Sequence, residues 1–193
     1  MITLICGAMF SGKTSRLMQY LDRHLIAGQK SILVRPLKDT RPFLSRSYKL
    51  SEKTSSLYDT LYMEKLGEGF AEYIIDEGYE AVFVDEYFLM DGNRGFLEKF
   101  LMSDISVYLS GLLADSDGIL FRQASEVLPL CDKIEKLDGV CTECGSFTGS
   151  FSYHEGRKNG QIEIGDSAYR CVCGKCYARL TGLPHHKDGV WKL

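Results

Sequence analysis

The sequence predicts an α/β fold, a mainly parallel sheet flanked by helices, with a small cysteine-rich lobe appended. Three observations predict it. Short apolar runs alternate with stretches of helical spacing, a glycine-rich loop joins the first run to the first helix, and beyond Asp138 the texture changes to closely spaced cysteines and glycines. Strands alternating with helices imply a parallel sheet covered on both faces, with ligands gathered at the carboxyl ends of the strands.

Ile2-Thr3-Leu4-Ile5-Cys6 is a short apolar run with the character of a buried strand. Ser15 to Ala27 follows with Leu17, Met18, Leu21 and Leu25 at helical spacing. Ser31-Ile32-Leu33-Val34 predicts a second strand and Leu61 to Ile75 a helix. Glu80 to Glu86 predicts a third strand ending in two carboxylates, Gly95 to Met102 another helix, and Ile105 to Ser110 a fourth strand. In the appended lobe, Phe151-Ser152-Tyr153 and Ile162-Glu163-Ile164 alternate around Lys158-Asn159-Gly160, and Asn-Gly between alternating runs is a hairpin signal. The expected division is a nucleotide-binding α/β domain over 1–138, a metal-binding lobe over 139–181, and a flexible tail over 182–193 holding Pro184, His185 and His186.

Gly7-Ala8-Met9-Phe10-Ser11-Gly12-Lys13-Thr14 fits the pattern Gly-x-x-x-x-Gly-Lys-Ser/Thr in the required place, after a strand and before a helix. The chemistry needs those types. Glycines let backbone N–H groups converge on phosphate oxygens, adding to the positive end of the helix dipole. Gly7, Met9, Ser11, Gly12, Lys13 and Thr14 are therefore expected to hold a nucleoside triphosphate such as ATP, with Lys13 on the β- and γ-phosphates and the Thr14 hydroxyl on Mg²⁺.

Asp85-Glu86 ends the third strand, where one carboxylate can serve that metal and the other can take a proton from an attacking hydroxyl. Neighbours on a strand point to opposite sides, which separates the two roles. Lys38-Asp39-Thr40-Arg41 follows the second strand and places a carboxylate and a guanidinium at the same end of the sheet. Arginine is the natural clamp for charge developing on a transferring phosphoryl group.

Cys141-Thr142-Glu143-Cys144 and Cys173-Gly174-Lys175-Cys176 are two Cys-x-x-Cys knuckles separated by 28 residues, the arrangement of a tetrahedral Cys₄ zinc site. Four protein ligands leave no open position, so such a zinc is structural. Cys171 offers a further sulfur beside the second knuckle, and the expected ligands are Cys141, Cys144, Cys173 and Cys176.

With a net charge of −3 and a pI near 5.8, the chain has no global electrostatic case for wrapping a nucleic-acid polymer. No run reaches membrane-spanning length, and the chain opens on a strand rather than a basic region and apolar signal segment, so a cytoplasmic protein is expected. A phosphate-loop nucleoside triphosphatase, or a catalytically altered nucleotide-binding protein, whose zinc lobe binds a macromolecular partner is the alternative reading. It is disfavoured by the lack of an Asn-Lys-x-Asp motif and of any basic run.

Taken in order along nearly the whole chain, these residues resemble the zinc-containing thymidine kinase family of animal cytosol, bacteria and phages. Its Met-Phe-Ser-Gly-Lys is matched by residues 9–13, its Lys-Asp-Thr-Arg by 38–41 and its Asp-Glu by 85–86. Its two zinc knuckles resemble Leu137 to Cys144 and Val172 to Tyr177, the second approached through Ile164-Gly165 and Tyr169. The resemblance implies transfer of the ATP γ-phosphoryl group to the 5′-hydroxyl of a deoxynucleoside, most simply thymidine or deoxyuridine. Glu86 would be the general base, Arg41 and Lys13 would support the transferring group, and Asp39 and Asp85 would act near Mg²⁺. The stretch from Gly145 to Arg170 would be a lasso-like loop over the base, with Tyr169 near the sugar and Met9, Phe88 and Phe121 lining the acceptor pocket. Family members are commonly tetramers, implying a homo-oligomer. Two stretches depart from the pattern: the family's Asp-Glu-Ala-Gln-Phe-Phe reads Asp85-Glu86-Tyr87-Phe88-Leu89-Met90, and its Gly-Leu-Asp-Gly-x-Phe reads Gly111-Leu112-Leu113-Ala114-Asp115-Ser116.

Overall fold

Ile2–Gly7 (β1) runs through the middle of a six-stranded sheet whose order is β3-β2-β4-β5-β1-β6. The computed structural model describes residues 1–39, 50, 54, 57–156 and 168–183. The other strands are Ser31–Pro36 (β2), Tyr58–Met63 (β3), Ala81–Val84 (β4), Ser106–Gly111 (β5) and Lys133–Leu137 (β6), and every pairing among them is parallel. The four inner strands are apolar on both faces, as burial under helices on each side requires.

Alternation along those strands divides the core in two. Ile5, Leu33, Ala81, Phe83 and Tyr108 point to the face covered by Lys13–Ile26 (α1), which buries Leu17, Met18, Leu21 and Leu25 against them. Leu4, Cys6, Val34, Val82, Val84 and Leu109 point the other way, toward Glu68–Asp76 (α2), Asn93–Glu98 (α3) and Arg122–Val127 (α4) through Ala71, Ile74, Phe96, Leu97 and Ala124. Full burial of one such Leu, Ile or Phe is worth about 1.5–3 kcal/mol. Among the described residues, no helix is long and apolar enough to cross a membrane.

Three readings from spacing are corrected. Residues 58–63 form the edge strand β3, and the helix expected from Leu61 starts only at Glu68. The Leu61 and Met63 spacing that mimics a helix is the alternation of an edge strand that packs these two residues on one core and Tyr58 on the other. The helix expected over Gly95 to Met102 spans Asn93–Glu98 and gives way to turns, leaving Met102 almost fully exposed. β4 stops at Val84, so Asp85 and Glu86 are not strand neighbours with opposed side chains: Glu86 is left-handed at φ 50° and opens a 3₁₀ turn over Tyr87–Leu89.

The cysteine-rich part forms a second, two-stranded sheet in which Phe151–His154 (β7) pairs antiparallel with Tyr169–Val172 (β8), followed by Gly174–Thr181 (α5). The hairpin turn at Lys158-Asn159-Gly160 and the run Ile162 to Ile164 lie outside the described residues, as do Pro184, His185 and His186. The described partner of β7 is β8.

Candidate active site

The strand order puts β5 between β1 and β4, so the loop after β1 and the carboxylate after β4 meet across the end of one strand. There the Thr14 hydroxyl donates to Asp85 Oδ1 at 3.2 Å, and the Ser110 hydroxyl, from β5, donates to the same oxygen at 2.5 Å. The Asp85 N–H is tied to the Val34 carbonyl at 2.9 Å, and Asp85 is fully buried. A buried carboxylate held by two hydroxyls is a hard, oxygen-only donor set suited to Mg²⁺. Ser110 escaped the sequence reading. Its signal is a hydroxyl closing the apolar run Val107-Tyr108-Leu109 at the strand end that faces the ligand.

The loop between β1 and α1 is tightly shaped. A Cβ on Gly7 would sit 2.4 Å from the Leu137 carbonyl oxygen and 2.5 Å from Ser11 Oγ, so only glycine lets the chain pass. Gly12 closes the loop at φ 85° and starts α1. Lys13 is buried, with Nζ donating to the Ala8 carbonyl at 2.8 Å, which folds its ammonium over the loop. Phe10, at φ 65°, and Glu86 are the two non-glycine residues with positive φ among those described. Such conformations persist only where the surroundings over-determine them; Phe10 lies in the loop that leads to Thr14, and Glu86 directly follows Asp85.

Asp39 lies after β2 in a buried ion pair with Arg35, Asp39 Oδ2 to Arg35 Nη2 being 2.8 Å, while Arg35 Nη1 donates to the Tyr62 hydroxyl at 3.0 Å. Thr40 and Arg41 lie outside the described residues. Phe88 and Phe121 are buried and stacked with centroids 4.8 Å apart. Gly111 makes room, since a Cβ there would lie 2.8 Å from the Tyr87 ring and 3.0 Å from that of Phe88. Tyr169 opens β8 and packs edge-on against His154 at 4.8 Å. Met9 donates its N–H to Ser152 Oγ at 2.9 Å.

The Sγ atoms of Cys141, Cys144, Cys173 and Cys176 all lie within 4.8 Å of one another, and those of Cys144 and Cys173 are 3.8 Å apart. Thiolates about 2.3 Å from a tetrahedral Zn²⁺ are separated by about 3.8 Å, so donor type and spacing both fit zinc. Burial pushes the Cys141 thiol up, but backbone hydrogen bonds from Cys173, Glu143 and Cys144 outweigh it and hold the group down at about 6, toward the thiolate a metal needs. Cys171 stands apart: its Sγ donates to the Gly149 carbonyl at 3.4 Å, and burial pushes its thiol up.

The chain is similar to known proteins along nearly its whole length. A sequence model described as thymidine kinase matches residues 1–177. The chain is 31% identical over 179 residues to a thymidine kinase of Amsacta moorei entomopoxvirus, covering 91% of this chain and 97% of that protein. It is 28% identical over 183 residues to a thymidine kinase of Bacteroides thetaiotaomicron, covering 94% and 88% respectively. A thymidine kinase of Pseudothermotoga lettingae is 26% identical over 182 residues, covering 93% and 96%.

Proposed function

Because the chain belongs to the thymidine kinase family, we propose that it transfers the γ-phosphoryl group of ATP to the 5′-hydroxyl of a deoxynucleoside, thymidine or deoxyuridine first, for nucleotide salvage. The observation that carries this reading is the meeting of Thr14, Ser110 and Asp85 beside a phosphate loop whose Lys13 is folded over it.

In the proposed reaction the backbone N–H groups of the loop and Lys13 hold the β- and γ-phosphates. Thr14 and Asp85 hold Mg²⁺, which when bound withdraws charge from the phosphate oxygens. Glu86 takes the proton of the 5′-hydroxyl as its oxygen bonds to the γ-phosphorus. The bond from that phosphorus to the β–γ bridging oxygen breaks and ADP leaves. What supports this role is that Glu86 directly follows buried Asp85, in a left-handed turn, and is itself only half-buried. Arg41 supplies charge to the transferring group, Asp39 acts near the metal, and Met9, Phe88, Phe121 and Tyr169 line the acceptor side. The four-cysteine site holds a structural zinc, 139–181 acts as the lobe that covers the acceptor, and the enzyme works in the cytoplasm as a homo-oligomer, a tetramer on the family pattern.

The test is ATP-dependent phosphorylation of thymidine, deoxyuridine, deoxycytidine, deoxyguanosine and uridine, with Glu86→Gln as control. Selective turnover of thymidine or deoxyuridine is expected, falling by about two to four orders of magnitude in the control while ATP binding persists. ATP binding without turnover of any nucleoside would refute it.

A further inference from the structure

We propose that Ser152, in the zinc lobe, is a positioning residue for the phosphate loop, so that metal binding at the four cysteines and ATP binding at the loop strengthen one another. The inference rests on the phosphate-loop reading above. Ser152 is buried in β7, and its Oγ accepts the Met9 N–H at 2.9 Å, across 143 residues of sequence. Met9 precedes Phe10, whose φ of 65° is sparsely populated for an aromatic residue and must be held by its surroundings.

The lobe supplies part of that hold. Gly139 packs so closely that a Cβ on it would lie 3.5 Å from Ser11 Cα and 3.6 Å from the Phe10 carbonyl oxygen. Gly139 is fixed by a reciprocal backbone pair with Gly149 at 2.7 and 2.9 Å, two residues before the ligand Cys141. Ser152 stands opposite Cys171 in the β7–β8 register, and the Cys171 carbonyl accepts the Thr142 N–H at 2.9 Å. Both supports of the loop are therefore anchored within two residues of a metal ligand, Gly139 through Cys141 and Ser152 through the strand that leads into Cys173. A site competent only part of the time binds with affinity reduced by that fraction. Loosening these supports lowers the fraction of chains with the loop set for phosphate. Linkage makes the effect reciprocal, so ATP must tighten the binding of zinc, and less zinc passes to a competing chelator at equilibrium.

The experiment measures ATP affinity by calorimetry and zinc release to a chromogenic chelator, in the zinc-loaded native chain, Ser152→Ala and Ser152→Thr. Ser152→Ala is expected to keep its zinc and bind ATP about three- to tenfold more weakly, the worth of one hydrogen bond. Ser152→Thr, which keeps the acceptor oxygen, restores binding. ATP lowers the fraction of zinc that the native chain gives up to the chelator at equilibrium, and does so less in Ser152→Ala. Native affinity in zinc-loaded Ser152→Ala would overturn the proposal. Should that variant lose its metal, zinc release from the native chain decides: protection by ATP supports the coupling and indifference to ATP overturns it. A native chain that binds no ATP would overturn the phosphate-loop reading and this inference together, whereas normal kinase activity with no effect of Ser152→Ala on ATP affinity would overturn this inference alone.

Discussion

Gly139→Ala is the substitution whose cost the structure fixes most closely. A Cβ at Gly139 would lie 2.7 Å from Cys171 Sγ, with its next neighbours at 3.5 and 3.6 Å. That is roughly 1 Å inside ordinary contact for one atom and none for the rest. On its other side the sulfur already donates to the Gly149 carbonyl oxygen at 3.4 Å, so moving away from Gly139 disturbs that contact. Overpacking of this kind costs about 1–3 kcal/mol. Cys171→Ala alone removes one buried sulfur and costs about 1 kcal/mol. In the double variant the single close contact is gone, so its stability should equal that of Cys171→Ala, a coupling of about 1–3 kcal/mol. Urea unfolding followed by circular dichroism on the zinc-loaded proteins measures the cycle. Additive losses would refute the claim that Cys171 Sγ is what excludes a side chain at Gly139. Metal analysis of Cys171→Ala completes the argument: one zinc per chain is expected, and less would make Cys171 a ligand.

Two further perturbations bear on the catalytic core. Lys13→Ala removes a buried ammonium folded over the phosphate loop, and thymidine phosphorylation should fall by at least about 10²–10³-fold; unchanged turnover would take the loop out of the chemistry. Glu135 on β6 accepts hydrogen bonds from Arg16, Tyr20 and Lys133, and chiefly the Arg16 bond lowers it from 4.5 to about 2. Its contribution is thus present above pH 4.5 and lost as pH falls toward about 2. Glu135→Gln should lower the melting temperature near neutral pH by an amount that shrinks across that acid range, and a constant difference would show that the network does not tie β6 to α1 electrostatically.

The parts legible in the sequence are those where one local rule decides. The loop pattern calls for glycine at position 7, where a side chain would strike the Leu137 carbonyl and Ser11; the two knuckles need paired cysteines, and the four sulfurs converge. β3 and β6 were not legible because they are edge strands: Tyr58–Met63 and Lys133–Leu137 expose charged and polar residues on a face that inner strands bury, which weakens their apolar signal. α4 is only six residues long and too short to show a period. Ser152 was visible only as the polar member of an alternating strand. Its meeting with Met9 is a long-range contact that no local pattern carries.

On the proposed reading, a lobe that carries none of the proposed catalytic groups can still matter to both substrates. Phe88 stands where the family pattern has glutamine, and it is locked by stacking on Phe121 and by the space left at Gly111. If this pair lines the acceptor side, as proposed, it offers rings and no side-chain amide, and polar reading of the base would fall to the segment after β5 or to the lobe. Segment and lobe are already joined: the Tyr177 hydroxyl of α5 donates to the Ser116 carbonyl at 2.9 Å, one residue beyond the ligand Cys176. The lobe thus fastens the donor loop through Ser152 and the altered acceptor segment through Tyr177. If the proposed reading holds, change at Phe88 and Ser116 can shift which base is accepted without altering Lys13, Thr14 or Asp85, since Phe88 and Ser116 lie on other segments of the chain.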